Sequence, residues 1–167
     1  MKVYLGTDHA GFELKEKIKS YLIEKSFEVE DCGALEFNKN DDYPDLVLKA
    51  AIKTSEDSQS FGIIFGKSGA GECVVANKIK NIRAILGFSA ENVKLAREHN
   101  NANILSLGSA FVDEDLSKNL VTIFLQTEFA NEERHIRRIN KIKEIEGSQT
   151  SWKSMLIKNF DALNKTP

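Results

Sequence analysis

Five short apolar runs, each closing on a glycine, punctuate the chain. They are Val3-Tyr-Leu-Gly6, Val29-Glu-Asp-Cys-Gly33, Ile63-Ile-Phe-Gly66, Ala84-Ile-Leu-Gly87 and Ile104-Leu-Ser-Leu-Gly108. Most are continuous rather than alternating, the pattern of strands buried on both faces. Helical spacing fills the intervals. Leu14, Ile18, Tyr21 and Leu22 share one face of a first helix, with Glu13, Lys15, Glu16, Lys17 and Lys19 mostly on the other. Pro44 suits the first turn of a second helix that buries Leu46, Val47, Ala50 and Ala51. Further helices are predicted over 72–80, 90–98 and 114–126. Strands interleaved with helices predict an α/β fold, a five-stranded parallel sheet, doubly wound and covered on both faces. No linker, repeat or low-complexity tract divides it.

Bulk properties narrow the function classes. A chain of 167 residues is about one domain with a real core. A formal net charge of -2 offers no global field for nucleic acid or anionic lipid. The two cysteines, Cys32 and Cys73, lack metal-site spacing and read as reduced thiols. No run approaches the roughly 18 apolar residues of a membrane helix, and the N-terminus has no signal-peptide pattern. A cytoplasmic protein is the expectation, with no membrane or nucleic-acid partner.

Candidate chemistry gathers at one turn. After the apolar run Phe61-Gly-Ile-Ile-Phe65 comes Gly66-Lys-Ser-Gly-Ala-Gly71, followed by Glu72. Three glycines in six residues are costly unless positive φ or close ligand approach requires them. A strand, a glycine-rich turn and a helix start form a nest of N–H groups suited to negative charge. The glycine order matches neither a Walker A loop nor the dinucleotide fingerprint, which counts against a nucleotide. Glu72 beside this nest is a candidate proton-transfer base, and the helix N-terminus is expected to favour its ionised form. In a doubly wound sheet ligands bind beyond the strands' carboxyl ends, so Thr7-Asp8-His9 should lie near Lys67-Ser68. Taken singly, Asp8 suits a helix cap, His9 a surface site, and His99 a helix C-terminus meeting the dipole.

Five stretches occur in an order that narrows these choices. They are Gly6-Thr-Asp-His-Ala-Gly11, Asp42-Tyr-Pro44, Gly66 to Lys78, Arg97-Glu-His-Asn-Asn101 and Arg134-His-Ile-Arg-Arg138. Together they resemble the ribose-5-phosphate isomerase B family, which includes related galactose- and allose-phosphate isomerases. The resemblance covers residues 1–146, leaving 147–167 as a C-terminal tail. It implies a Rossmann-like α/β/α sandwich and aldose–ketose isomerisation of ribose 5-phosphate and ribulose 5-phosphate in the pentose phosphate pathway. It also implies a homodimer or dimer of dimers with sites shared between subunits, and neither metal nor cofactor. One branch of the family uses a cysteine at the position of Gly66 as base; the other uses a glutamate at the position of Glu72, as here. The family's catalytic roles fall on Glu72, His99, Ser68 and Asp8. Substrate contacts fall on Asp8, His9, Lys67, Ser68, Gly69, Ala70, Gly71, Asn100, Arg134 and Arg138.

Three features qualify that picture. His99 and Asn100 end a helix before a strand, on the sheet edge opposite the glycine loop, so a partner subunit would have to supply them. Many relatives carry an arginine after Gly108-Ser109, where this chain has Ala110. That keeps open a hexose 6-phosphate (allose or galactose), or a weakly active sugar-phosphate-binding subunit. Finally, Trp152, Met155, Leu156, Phe160 and Leu163 fall near one face of a possible helix over 151–164, expected to pack on the body or on a partner.

Overall fold

The computed structural model describes residues 1–147; the tail helix expected over 151–164 lies outside them. Five strands, β1 (Lys2–Thr7), β2 (Glu28–Asp31), β3 (Phe61–Gly66), β4 (Ala84–Gly87) and β5 (Ile104–Gly108), form one parallel sheet ordered β2-β1-β3-β5-β4. The helices are α1 (Phe12–Glu24), α2 (Tyr43–Glu56), α3 (Ala70–Ala76), α4 (Ala90–Asn100), α5 (Glu114–Gln126) and α6 (Glu133–Gly147). The α/β sandwich read from the apolar runs is the fold observed.

Period-two alternation divides the sheet into two buried faces. Val3, Leu5, Ile63, Phe65, Leu105 and Leu107 face a core that includes Leu14, Ile18 and Leu22 of α1, Val93 of α4 and Phe124 of α5. Tyr4, Ile64 and Ile104 face the other, with Val47, Ala50 and Ala51 of α2 and Ala76 of α3. Because both faces are covered, β1 and β3 are buried along almost their whole length and read as near-continuous apolar runs, whereas the edge strand β2, Glu-Val-Glu-Asp, is only partly buried.

Chain order departs from sheet order in a way that builds a crevice. From β1 the chain steps outward to β2, then returns to place β3 on the other side of β1. The connections therefore diverge between β1 and β3, the switch point where such sheets bind ligands. Register pairs Thr7 with Phe65, so Asp8 and Gly66 emerge side by side. β5 slots between β3 and β4, and Gly66 pairs with Gly108, so the loop after β5 meets the glycine turn.

Helix ends differ from the periodicity where side chains intervene. The helix expected over 72–80 runs from Ala70 to Ala76. Asn77 ends it, donating from Nδ2 to the Ala84 carbonyl at 2.9 Å and accepting from Ala84 N at 2.9 Å. That exchange ties the helix to the start of β4, a contact no local spacing encodes. The unit holding the sheet ends at Asn131, and Glu132 opens a second one. Of that second unit α6 is described, with His135 and Ile139 buried and Arg134 and Arg138 exposed.

Candidate active site

The glycine turn is shaped by its neighbours. Gly69 adopts φ 74, a left-handed conformation that a side chain would strain, and it precedes the first turn of α3. Its carbonyl accepts from the buried Ser106 hydroxyl at 2.6 Å. Ser109 N donates to the Gly66 carbonyl at 2.9 Å and Ala110 N to the Lys67 carbonyl at 3.0 Å. The loop is thus held from below and from the side. Lys67, Ser68 and Ala70 stay exposed, and the Ser68 hydroxyl accepts from Ala70 N at 3.3 Å. The ring of Tyr43, at the start of α2, lies against Gly71, where a Cβ would come within 2.9 Å of its Cζ.

Glu72 sits in the first turn of α3, and only 5% of it is exposed. Its carboxylate occupies the space a Cβ at Gly66 would need. A side chain at position 66 and this carboxylate therefore compete for one place, which gives the glycine a physical reason. Burial pushes the Glu72 carboxyl above its ordinary range, its own backbone N–H opposes the shift, and the Asp8 charge adds to it. The helix N-terminus was expected to favour the ionised form; burial, the largest influence on this carboxyl, acts in the opposite direction.

Asp8 does two things. Oδ1 accepts from Ala10 N at 3.0 Å and Gly11 N at 3.3 Å, capping the turn before α1, and the buried side chain still lies close enough to Glu72 to perturb it. His9 beside it packs against Asp41, a residue that motif reading passed over although Asp42-Tyr-Pro44 follows it directly. His9, Lys67, Ser109 and Ala110 line a cavity of about 630 Å³ next to the glycine turn. Ala110 is an exposed part of that wall. Asp8, His9 and Asp41 offer ligand atoms within 4.8 Å of one another, a grouping not foreseen from spacing. Those atoms already engage one another and the Ala10 and Gly11 amides.

The remaining predicted residues lie elsewhere. His99 and Asn100 end α4 just before β5, and Gly62 N near the start of β3 donates to Asn103 O at 2.9 Å. They occupy the amino edge of the sheet, whereas Glu72 and the glycine turn lie beyond its carboxyl edge. The buried Arg97 guanidinium braces that corner, donating to Thr127 O at 3.1 Å, to Asn101 Oδ1 at 3.0 Å and to the Ala102 carbonyl. Within the second unit Arg134 and Arg138 sit four residues apart on α6, and Arg134 Nε pairs with Glu132 at 2.7 Å. Cys73, next to Glu72 in sequence, turns away and packs with Sγ 3.5 Å from the Ala84 carbonyl.

A parallel sheet with a buried carboxylate, a glycine turn and a cavity beside its switch point is the arrangement of an α/β enzyme with a small-ligand site. Comparison with known proteins agrees and is more specific. Residues 3–142 match the family described as Ribose/Galactose Isomerase. The chain is 42% identical over 146 residues to ribose-5-phosphate isomerase B of Mycolicibacterium paratuberculosis, covering 87% of this chain and 92% of that protein. Among solved structures it resembles ribose-5-phosphate isomerase B of Mycoplasma genitalium with bound ribulose-5-phosphate. There the TM-score is 0.85 at 39% identity, covering 89% of this chain and 97% of that one. The corresponding Clostridium thermocellum isomerase gives a TM-score of 0.83 at 39% identity, covering 90% and 100%. The chain belongs to the ribose-5-phosphate isomerase B family.

Proposed function

We propose that this chain interconverts D-ribose 5-phosphate and D-ribulose 5-phosphate through an enediolate, with Glu72 as the base that moves the proton. The observation that carries the assignment is the Glu72 carboxylate, buried over Gly66 at the rim of the amide nest. Glu72 takes the proton from C2 of the open-chain aldose. The C2–H pair becomes the C1–C2 double bond and the carbonyl pair moves onto O1. The proton of the C2 hydroxyl passes to O1, and the pair of the C1–C2 double bond takes the proton back from the same carboxyl at C1, so that C1 carries a hydroxyl and C2 becomes the carbonyl carbon. Amides of Gly69, Ala70 and Gly71 and the Ser68 hydroxyl stabilise the oxyanion; one such donor is worth about 3–4 kcal/mol. A carboxyl with a raised pKa is better matched to reprotonating carbon near neutral pH than an ordinary glutamate.

The substrate's ring must open first. His99 acts there, with Asp8 at the ring oxygen and Asn100 on the enediolate. Because His99 and Glu72 lie at opposite sheet edges of one chain, a second protomer supplies His99 and Asn100, and the working unit is a homodimer or a dimer of dimers. Arg134, Arg138 and His9 take the phosphate, with Lys67 on the same side as His9. We assign the 1–146 segment to this activity. The reaction needs no metal, and two free cysteines suit the cytoplasm. The test is turnover by the purified, chelator-treated chain on ribose 5-phosphate, allose 6-phosphate and galactose 6-phosphate. Isomerisation of the pentose is expected; a preference for either hexose, or no turnover, overturns the assignment.

A further inference from the structure

The connection between β2 and α2 closes on His9 from one side. Asp41 Oδ1 lies 2.6 Å from His9 Nδ1 and also accepts the His9 backbone N–H at 3.2 Å. The Phe37 ring meets the imidazole edge-on, with centroids 6.1 Å apart, and meets Phe12 of α1 edge-on at 6.5 Å. One carboxylate oxygen therefore holds both the backbone and the ring of His9. With Nδ1 engaged, Nε2 is the ring nitrogen left for a ligand in the cavity that His9 lines. The other Asp41 oxygen, Oδ2, is buried and has no hydrogen-bond partner among the described residues. A carboxylate so poorly solvated is compensated best by a positive imidazole.

We propose that Asp41 is a positioning residue that holds His9 as an imidazolium, its Nε2–H offered to the substrate phosphate on the wall where Ala110 supplies no charge. This deepens the isomerase reading and rests on it for the identity of the ligand. Every charged group facing His9 enters the balance. Asp41 raises its pKa through the hydrogen bond, partial burial opposes, and Asp8, with Oδ2 at 3.9 Å, raises it further. From α1 come Glu13 and Lys17, from the glycine turn Lys67, and from the start of α5 Asp113 and Glu114. Lys17 and Glu114 pair at 3.0 Å, which largely cancels their effect on the imidazole. The near neighbours are the two aspartates, so the imidazolium wins.

The experiment compares wild type with Asp41→Asn, which keeps an oxygen to accept the Nδ1–H but removes the charge. KM for ribose 5-phosphate is measured across pH, so substrate titration cancels in the ratio of variant to wild type. That ratio is expected near one where both imidazoles are charged, and about tenfold in the window where only the wild-type His9 is charged. The loss should fall on KM rather than kcat. A flat ratio, or a loss confined to kcat, overturns the proposal. An NMR titration of the His9 imidazole supplies an arm free of turnover. Its midpoint should lie above 6.5 in the wild-type chain, rise when inorganic phosphate is added, and fall in Asp41→Asn. A wild-type midpoint at or below 6.5, or one insensitive to phosphate, also overturns it. Should the chain fail to isomerise ribose 5-phosphate, the isomerase reading falls while the titration still decides the role of Asp41. Should Asp41→Asn fail to fold, the wild-type titration decides alone.

Discussion

A single buried carboxyl carries two opposing demands. As the proposed base Glu72 must ionise, yet its surroundings raise its pKa by desolvation. Glu72→Gln keeps the shape and removes the proton acceptor. Turnover of ribose 5-phosphate is expected to fall by about 10²–10⁴-fold, with KM changed far less, as steady-state kinetics would read. In the parent enzyme kcat/KM should fall as pH drops through the raised Glu72 pKa, and that limb should lie above 4.5. The stability effect has the opposite sign. A carboxyl whose folded pKa is raised binds its proton more tightly when folded, so its ionisation destabilises the fold as pH rises past 4.5. Glu72→Gln should therefore have a higher Tm than wild type at neutral pH, and the gap should close below 4.5, where both states are protonated. A thermal scan against pH checks this, and a lower Tm at neutral pH would contradict it. Gly66 stood out as one of three closely spaced glycines that called for positive φ or close ligand approach, and among the described glycines it is Gly69 that takes positive φ. That the space above Gly66 belongs to Glu72 was not legible, because the clash lies between residues six apart in a turn whose path only packing defines.

Elements were legible wherever burial is symmetric. The apolar runs of β1 and β3 marked strands because a parallel sheet covered on both faces favours apolar residues at every position, whereas β2, at the sheet edge, reads Glu-Val-Glu-Asp and is only partly buried. The expected helix over 114–126 matches α5, where Asp113 caps Leu116 N at 2.8 Å. The end of α3 was missed because Asn77 is bound to β4. The α4 corner shows the cost of such non-local ties. Arg97 donates to three acceptors, stacks on Phe61 at 4.7 Å and Phe124 at 5.6 Å, and has its pKa lowered by burial and by Arg83 to about 10. Arg97→Met should fill much of the volume but strand those acceptors, lowering stability by about 2–4 kcal/mol in urea unfolding. His99 and Asn100 follow at once on this helix, so surviving activity should drop as well. An unchanged urea midpoint would show that the guanidinium network adds nothing.

At the scale of the molecule, the separation of His99 from Glu72 across the sheet is the feature with the largest consequence. If two protomers share sites, Glu72→Gln and His99→Ala homodimers should each be nearly inactive. Mixing them under conditions that exchange subunits should restore about a quarter of wild-type turnover, since half the dimers would be mixed and each would hold one intact site. No recovery, with exchange verified by mass, would mean that each chain completes its own site. The order of the runs along the chain, their apolar continuity and the glycine turn with its glutamate were determined by sequence, because local spacing dictates local backbone and burial. Strand order β2-β1-β3-β5-β4, the meeting of Asp8 with Gly66 and the clasp of Asp41 on His9 were decided by tertiary structure. Those contacts join residues far apart in the chain, and only packing both faces of one sheet brings them within reach.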